Sequence, residues 1–212
     1  MRILWLGHNL AYPPKGGPLQ RNYNLLREAA KRHEIHALLF DQSASRPQGV
    51  SPQDCVEALS KFCTSVDWVP LPADSFGVGR YWRAITGLAT GEPYEFRWLR
   101  SKDMVARIQR LVGRVRFDVV HADTLGLSPY VPLIPHAGTV LNHHDIESAL
   151  VQRRASHERN FLWRAFWRQE SANLLVAERQ WCPTFDANLV VSEDEGHLVK
   201  SSCGDSAICV VP

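Results

Sequence analysis

The sequence predicts an α/β fold, a doubly wound parallel sheet of about seven strands. Three observations lead there. Short apolar runs alternate with amphipathic segments along the chain. Most of those runs are apolar at nearly every position, as strands covered on both faces are. The chain also opens with a βαβ unit whose connecting loop is rich in proline and glycine.

Each element follows from its local pattern. Arg2-Ile3-Leu4-Trp5-Leu6 reads as the first strand, and Leu19 to Arg32 as an amphipathic helix. Ile35-His36-Ala37-Leu38-Leu39-Phe40 is the second strand, and Asp41 to Pro52, rich in Ser, Pro, Gln and Gly, is loop. A short helix over Gln53 to Phe62 leads to a third strand, Val66-Asp67-Trp68-Val69-Pro70-Leu71. Arg80 to Thr90 reads as a helix stopped by Gly91 and Pro93. Lys102 to Arg114 is a clearer helix, with Met104, Ile108, Leu111 and Val112 on one face and Arg107, Arg110 and Arg114 on the other. Phe117-Asp118-Val119-Val120-His121 and Gly138-Thr139-Val140-Leu141-Asn142 are the fourth and fifth strands. Ile146 to Trp181 is helical with a break near His157. Asn188-Leu189-Val190-Val191 is the sixth strand, and Ser192 is placed to cap a helix starting at Glu193. Ala207-Ile208-Cys209-Val210-Val211 is the seventh.

The loop after the first strand, Gly7-His8-Asn9 through Tyr12-Pro13-Pro14-Lys15-Gly16-Gly17, is the richest in signal. It lies at the carboxyl end of a strand, where open α/β sheets bind their ligands. Gly16 and Gly17 let a ligand come close to the backbone, and amides near a helix N-terminus suit an anion. Neither a G-x-G-x-x-G dinucleotide fingerprint nor a G-K-[ST] phosphate loop is present. A surface turn built from Pro and Gly is the plain alternative.

Composition excludes several classes. A chain of 212 residues, 45% hydrophobic, can bury a full core. Its net charge of +2, without a Lys/Arg block, gives no footprint for a nucleic-acid partner. Five scattered cysteines, Cys55, Cys63, Cys182, Cys203 and Cys209, make no C-x-x-C pair and no zinc spacing, and read as reduced thiols in a cytoplasmic protein. The N-terminus shows no secretory signal pattern, and no run approaches the roughly 18 apolar residues of a membrane span.

The order of motifs carries a resemblance. The strand and Pro-Pro-x-Gly-Gly loop are followed by Phe117-Asp118-Val119-Val120-His121, then by Val140-Leu141-Asn142-His143-His144-Asp145-Ile146-Glu147-Ser148. Asn188-Leu189-Val190-Val191-Ser192-Glu193 and Ile208-Cys209-Val210-Val211-Pro212 close the series. This resembles the N-terminal, Rossmann-like domain of a GT-B-fold glycosyltransferase of the large retaining family 4, in the branch that builds exopolysaccharide and other cell-surface glycans. The resemblance spans nearly the whole chain and is weakest between Ser43 and Leu99. Its specificity lies in the order and spacing of the motifs, not in any one of them.

The resemblance implies residues 1–212 as a single acceptor-side domain, with the donor-binding C-terminal domain absent from this chain. In the family the last strand runs into an Asn-Gly-Val-Asp turn, and the Glu-x7-Glu element that holds the donor lies beyond it. The expectation is a half-enzyme, inactive alone, whose whole would transfer a sugar from a nucleotide-sugar donor to a glycan or lipid-linked acceptor. The donor is a substrate, and no cofactor is expected. Anomeric configuration would be retained by same-face attack within a tight ion pair, without a protein nucleophile. That agrees with a sequence in which no Cys-His or G-x-S-x-G element stands out.

Site residues follow by the same resemblance. Gly16 and Gly17 match the glycine pair beside the donor diphosphate, where Lys15 would add positive charge. His144 matches the histidine that contacts donor sugar or phosphate, a role imidazole suits as a neutral donor or as a cation. Arg21 would hold an anionic acceptor, and His121 and Asp123 would line the acceptor side. Plainer readings stay open beside these: a solvated Lys15, a surface Arg21, and Asp145 capping the helix that begins at Ile146. A metal set of His143, His144, Asp145, His121 and Asp123 is disfavoured, because adjacent histidines on a strand face opposite ways; no metal is expected.

From Arg153 to Trp167, arginines interleave with Phe161, Trp163, Phe166 and Trp167. Packing is the preferred reading; the alternative is a peripheral contact with an anionic bilayer at the inner membrane. Two other function classes remain, half of a sugar-nucleotide epimerase of similar fold and a non-catalytic scaffold module of a glycan assembly complex.

Overall fold

The computed structural model describes residues 1–43, 46, 48–71, 91–204 and 206–212. The helix expected over Arg80 to Thr90 lies outside the described residues. Seven strands form one sheet in the order β3-β2-β1-β4-β5-β6-β7. They are β1 Arg2–Gly7, β2 Glu34–Asp41, β3 Ser65–Pro70, β4 Val119–Ala122, β5 Gly138–Asn142, β6 Ala187–Val190 and β7 Ile208–Val210. The fold is the α/β, Rossmann-like parallel sheet with flanking helices that the sequence predicts. The described residues gather into two compact units: residues 1–71 with Ser101–Val140, and residues 91–100 with Leu141–Pro212.

In the first unit, β1 pairs in parallel with β2 on one side and β4 on the other, and β2 pairs with β3. Helix α1 (Gly17–Ala30) joins β1 to β2, and α2 (Pro52–Ser60) joins β2 to β3. Alternation along the strands sends Ile3, Trp5, Ile35, Ala37 and Leu39 to one face. There they pack with Leu26 of α1 and with Cys55 and Leu59 of α2. The alternate residues Leu4, Leu6, Leu38 and Phe40 are just as fully buried. Both faces of these strands are therefore covered, and each such side chain contributes about 1.5–3 kcal/mol of burial. Ser51 caps α2 with a reciprocal box to Asp54. After the short α3 (Tyr94–Trp98), which belongs to the second unit, comes α4 (Lys102–Val112), capped by Ser101, with Met104 and Ile108 fully buried and Arg107 paired to Asp67. A nine-residue 3₁₀ segment, Leu125–Leu133, follows β4; its Tyr130 hydroxyl accepts the Ser101 N–H at 2.8 Å. Sequence periodicity gives no hint of this segment, because Pro129 and Pro132 sit inside it.

In the second unit, the break expected near His157 is real. Helix α5 (Glu147–His157) ends there, and α6 (Phe161–Trp181) begins anew with the Asn160 side chain accepting the N–H groups of Leu162 and Trp163. Ser192 caps α7 (Glu193–Cys203) as expected, accepting the Glu195 N–H at 3.3 Å. Asp145 does not cap α5, however. The N-cap position is Ile146, which has no side-chain acceptor. Glu178, in the last turn of α6, takes over: its carboxylate accepts both the Ser148 N–H at 2.9 Å and the Ser148 hydroxyl. Two turns earlier on α6, Glu170 accepts the Tyr94 N–H at 2.6 Å, at the start of α3 behind Pro93. One helix face thus supplies the negative ends for two others. Among the described residues no helix is long and apolar enough to cross a membrane.

Burial pushes both carboxyl groups above the usual glutamate range, against the hydrogen bonds that lower them. A carboxyl with a raised folded-state pKa binds more protons folded than unfolded. Its contribution is full below the ordinary value of 4.5 and is lost as pH climbs through the folded value. Glu178→Gln keeps an acceptor for Ser148 and removes this titration. Urea denaturation at a series of pH values should show the Gln variant gaining on the wild type as pH rises above 4.5. Glu178→Ala should cost about 1–3 kcal/mol, because it strands a buried N–H. A pH-independent difference between Gln variant and wild type would contradict the assignment.

Candidate functional site

The strand order reverses between β1 and β4, since the chain runs outward from β1 to β3 and then returns to the other side. Loops at the carboxyl ends of those two strands must diverge, and the crevice between them is the binding position of open α/β sheets. Leu6 and Ala122 are partners in register, and the Asp123 N–H donates to the Leu6 carbonyl at 3.0 Å. The backbone therefore sets Asp123 beside the chain leaving β1. His8 leaves β1 at that point, and its Nδ1 lies 2.7 Å from Asp123 Oδ2. The Asn22 side-chain amide, from the inward face of α1, donates to the same oxygen.

Asp123 is fully buried, at 0% exposure, and Asn22 nearly so. An ionised carboxylate there costs several kcal/mol unless donors surround it. His8 and Asn22 supply them. A carboxylate only accepts, so the His8 proton sits on Nδ1, and Nε2 accepts the Asn9 side-chain amide at 2.8 Å. Gln42, after β2, donates to the His8 carbonyl at 2.7 Å and holds the loop. The imidazole is left half-buried, its side chain 17% exposed, with fixed tautomer and orientation. A ligand hydroxyl reaches the acceptor nitrogen of this ring, Nε2, only by displacing the Asn9 amide.

The glycine pair stands at the start of α1. Gly16 has φ +86°, in the left-handed region that disfavours a side chain. Gly17 does not, and a Cβ built on either would meet nothing within 4 Å. The space over both is open, and Pro18 follows within the first turn of the helix. The exposed Lys15 precedes them, so a cation and open backbone stand together at the head of α1.

Arg21 lies half-buried on α1, next to Asn22. His121, on β4, is buried and stacks on its register partner Trp5, ring centroids 3.6 Å apart and 19° from parallel. In the second unit, His144 follows β5 half-buried, while its neighbour His143 is in the core. The His143 ring donates to Asn188 Oδ1 at 3.1 Å, and the Asn188 amide in turn donates to the Cys182 carbonyl. Both histidines lie beyond the end of β5, in the turn toward α5, so strand alternation does not govern them, and their surroundings differ.

Sequence reasoning missed His8 and Asn22. A signal for each was present. His8 directly follows the first strand, and Asn22 is a polar residue on an otherwise apolar helix face, four before the buried Leu26.

Among solved structures, the chain is similar to sucrose-phosphate synthase from Thermosynechococcus elongatus, with a TM-score of 0.61 at 12% sequence identity. The two share a fold. The likeness covers 100% of this chain and 48% of that one, so the chain spans about half the length of the structure it matches. Comparison with family models and with curated protein sequences gives no match.

The carboxylate arrangement makes a direct prediction. Nitrogen-15 NMR of the histidine side chains should find His8 protonated at Nδ1, and Asp123→Ala should abolish that preference and lower stability by about 1–3 kcal/mol. A neutral His8 protonated only at Nε2 would contradict the geometry.

Proposed function

We propose that this chain is the acceptor-side domain of a retaining glycosyltransferase. Its reaction would move a sugar from a nucleotide-sugar donor to a glycan or lipid-linked acceptor, in the assembly of cell-surface polysaccharide by a family 4 enzyme. The observation that most supports this is the polar cluster at the strand-order reversal, His8, Asn22 and Asp123. It lies in a fold shared with about half of a sucrose-phosphate synthase. A site built for hydroxyl groups needs oriented hydrogen-bonding side chains and little else, because the nucleotide is a ready leaving group. An acceptor hydroxyl would displace the Asn9 amide from His8 Nε2, and His8, oriented by Asp123, would take up its proton there as the new glycosidic bond forms and the donor's sugar–phosphate bond breaks. Asp123 acts through His8 in this scheme and is a positioning residue.

The backbone at Gly16 and Gly17 would lie against the donor diphosphate, with Lys15 supplying positive charge. Arg21 and His121 are assigned to the acceptor side. His144 keeps the role that the family resemblance gives it, a hydrogen bond to donor sugar or phosphate as negative charge develops on the leaving group.

Gly17 separates the proposal from a merely structural turn. Its backbone is compatible with alanine and open space lies above it. Gly17→Ala should therefore leave the melting temperature unchanged or slightly raised, since glycine is the poorer helix residue. In a protein carrying both halves, the same change should lower transfer, measured as nucleotide released per glycoside formed. His144→Ala should lower turnover by on the order of 10²-fold without unfolding the protein. His143→Ala should instead cost stability, through the loss of its bond to Asn188. Residues 1–212 alone should transfer no sugar. Robust turnover by that chain, or full activity of Gly17→Ala, would overturn the reading.

A further inference from the structure

We propose that the tip of the α5–α6 hairpin docks on an anionic phospholipid surface. Phe161 and Leu162, at the first turn of α6, are the two most exposed large apolar side chains among the described residues, at 68% and 65% exposure. Next along α6 is a half-buried aromatic cluster in which Phe166 and Trp167 meet edge to face at 4.8 Å and Trp163 meets Phe166 at 5.7 Å. The same stretch carries Arg154, Arg159, Arg164 and Arg168, all exposed, and Arg153, exposed and paired with Asp145 at 3.9 Å. Five arginines against the single Glu158 give this stretch a net charge of +4. The Arg154 guanidinium lies over the Trp167 ring at 3.9 Å, which fixes a cation beside the aromatic patch.

The charge pattern selects the occupant. A protein partner covering Phe161 and Leu162 would have to desolvate or pair a ring of guanidinium groups. A second copy would bring two tips of the same sign together. A bilayer interface suits both the apolar and the basic groups at once. Phe161 and Leu162 enter the acyl boundary, the tryptophans sit at headgroup depth, and the arginines reach lipid phosphates while their stems cover apolar surface. The exposed edge of α6 (Phe161, Leu162, Arg164, Ala165 and Arg168) has no acidic residue to repel such a surface. The inference uses only the second unit and does not depend on the glycosyltransferase reading.

Co-sedimentation with vesicles tests it, and reads lipid binding rather than turnover. Residues 1–212 should pellet with vesicles containing one part in three phosphatidylglycerol and stay in solution with pure phosphatidylcholine. Raising the salt concentration should weaken the binding. Phe161→Ser combined with Leu162→Ser should lower the partition coefficient by at least about tenfold, with an unchanged melting curve because both side chains are exposed. Arg159→Glu combined with Arg164→Glu should lower it by roughly fivefold for each charge removed, or more. The proposal fails if the wild type ignores phosphatidylglycerol vesicles or if the Ser variant partitions like the wild type. It also fails if sedimentation velocity shows a dimer that the Ser variant dissociates, which would assign the patch to a second copy.

Discussion

A carboxylate with no access to water sits where the sheet changes direction. Asp123 follows β4 into the interior, and its charge is matched by donors from two other segments, His8 after β1 and Asn22 on α1. Taking a carboxylate out of water costs several kcal/mol, so the folded chain must bring those donors to it. Doing so fixes the loop after β1, the rotation of α1 and the start of the segment after β4. The open glycine pair at the head of α1 is set in place by the same helix. The loop's geometry, the orientation of the imidazole and the access to the Gly16–Gly17 backbone thus share one electrostatic cause.

The second unit repeats the device in another form. Glu170 and Glu178 are buried on α6 with raised carboxyl groups, and each closes the N-terminus of a helix whose own N-cap residue, Pro93 or Ile146, cannot do so. Here N–H groups at helix N-termini meet much of the burial cost, and the Arg97 charge also favours the ionised form of Glu170. Ser171 adds a bond from its hydroxyl to the Ser148 carbonyl, so that α5 is tied to α6 at both its donor and its acceptor groups. The hairpin is anchored by this end, and its far end carries the exposed apolar and basic residues.

Local rules made much of this legible in sequence. Apolar runs flanked by helical periodicity gave the strands, Ser51, Ser101, Asn160 and Ser192 lie at helix starts where their side chains accept N–H groups, and the glycine pair marked the loop after β1. What was hidden depends on distance along the chain. His8 and Asp123 are 115 residues apart, and Tyr94 and Glu170 are 76 apart, so neither contact leaves a local pattern. Asp145 looked like the cap of α5 because it stands next to the helix, and it was displaced by a glutamate 30 residues further on from Ser148. Polar residues on apolar faces, Asn22 above all, were the trace such contacts left. The 3₁₀ segment Leu125–Leu133 left none, since its prolines hide any helical period.

The central claim is that ligands meet this domain at the carboxyl ends of β1 and β4, over the Gly16–Gly17 backbone and His8. Amide and imidazole NMR shifts of residues 1–212, titrated with uridine and guanosine diphosphates at millimolar concentration, test it most directly. The account predicts that Gly16, Gly17 and the His8 ring shift first, and that Gly17→Ala weakens the response in a protein that remains folded. Shifts confined to the opposite, amino-end pocket lined by Val112, Arg116, Phe117 and His136, with Gly16, Gly17 and His8 unmoved, would contradict it.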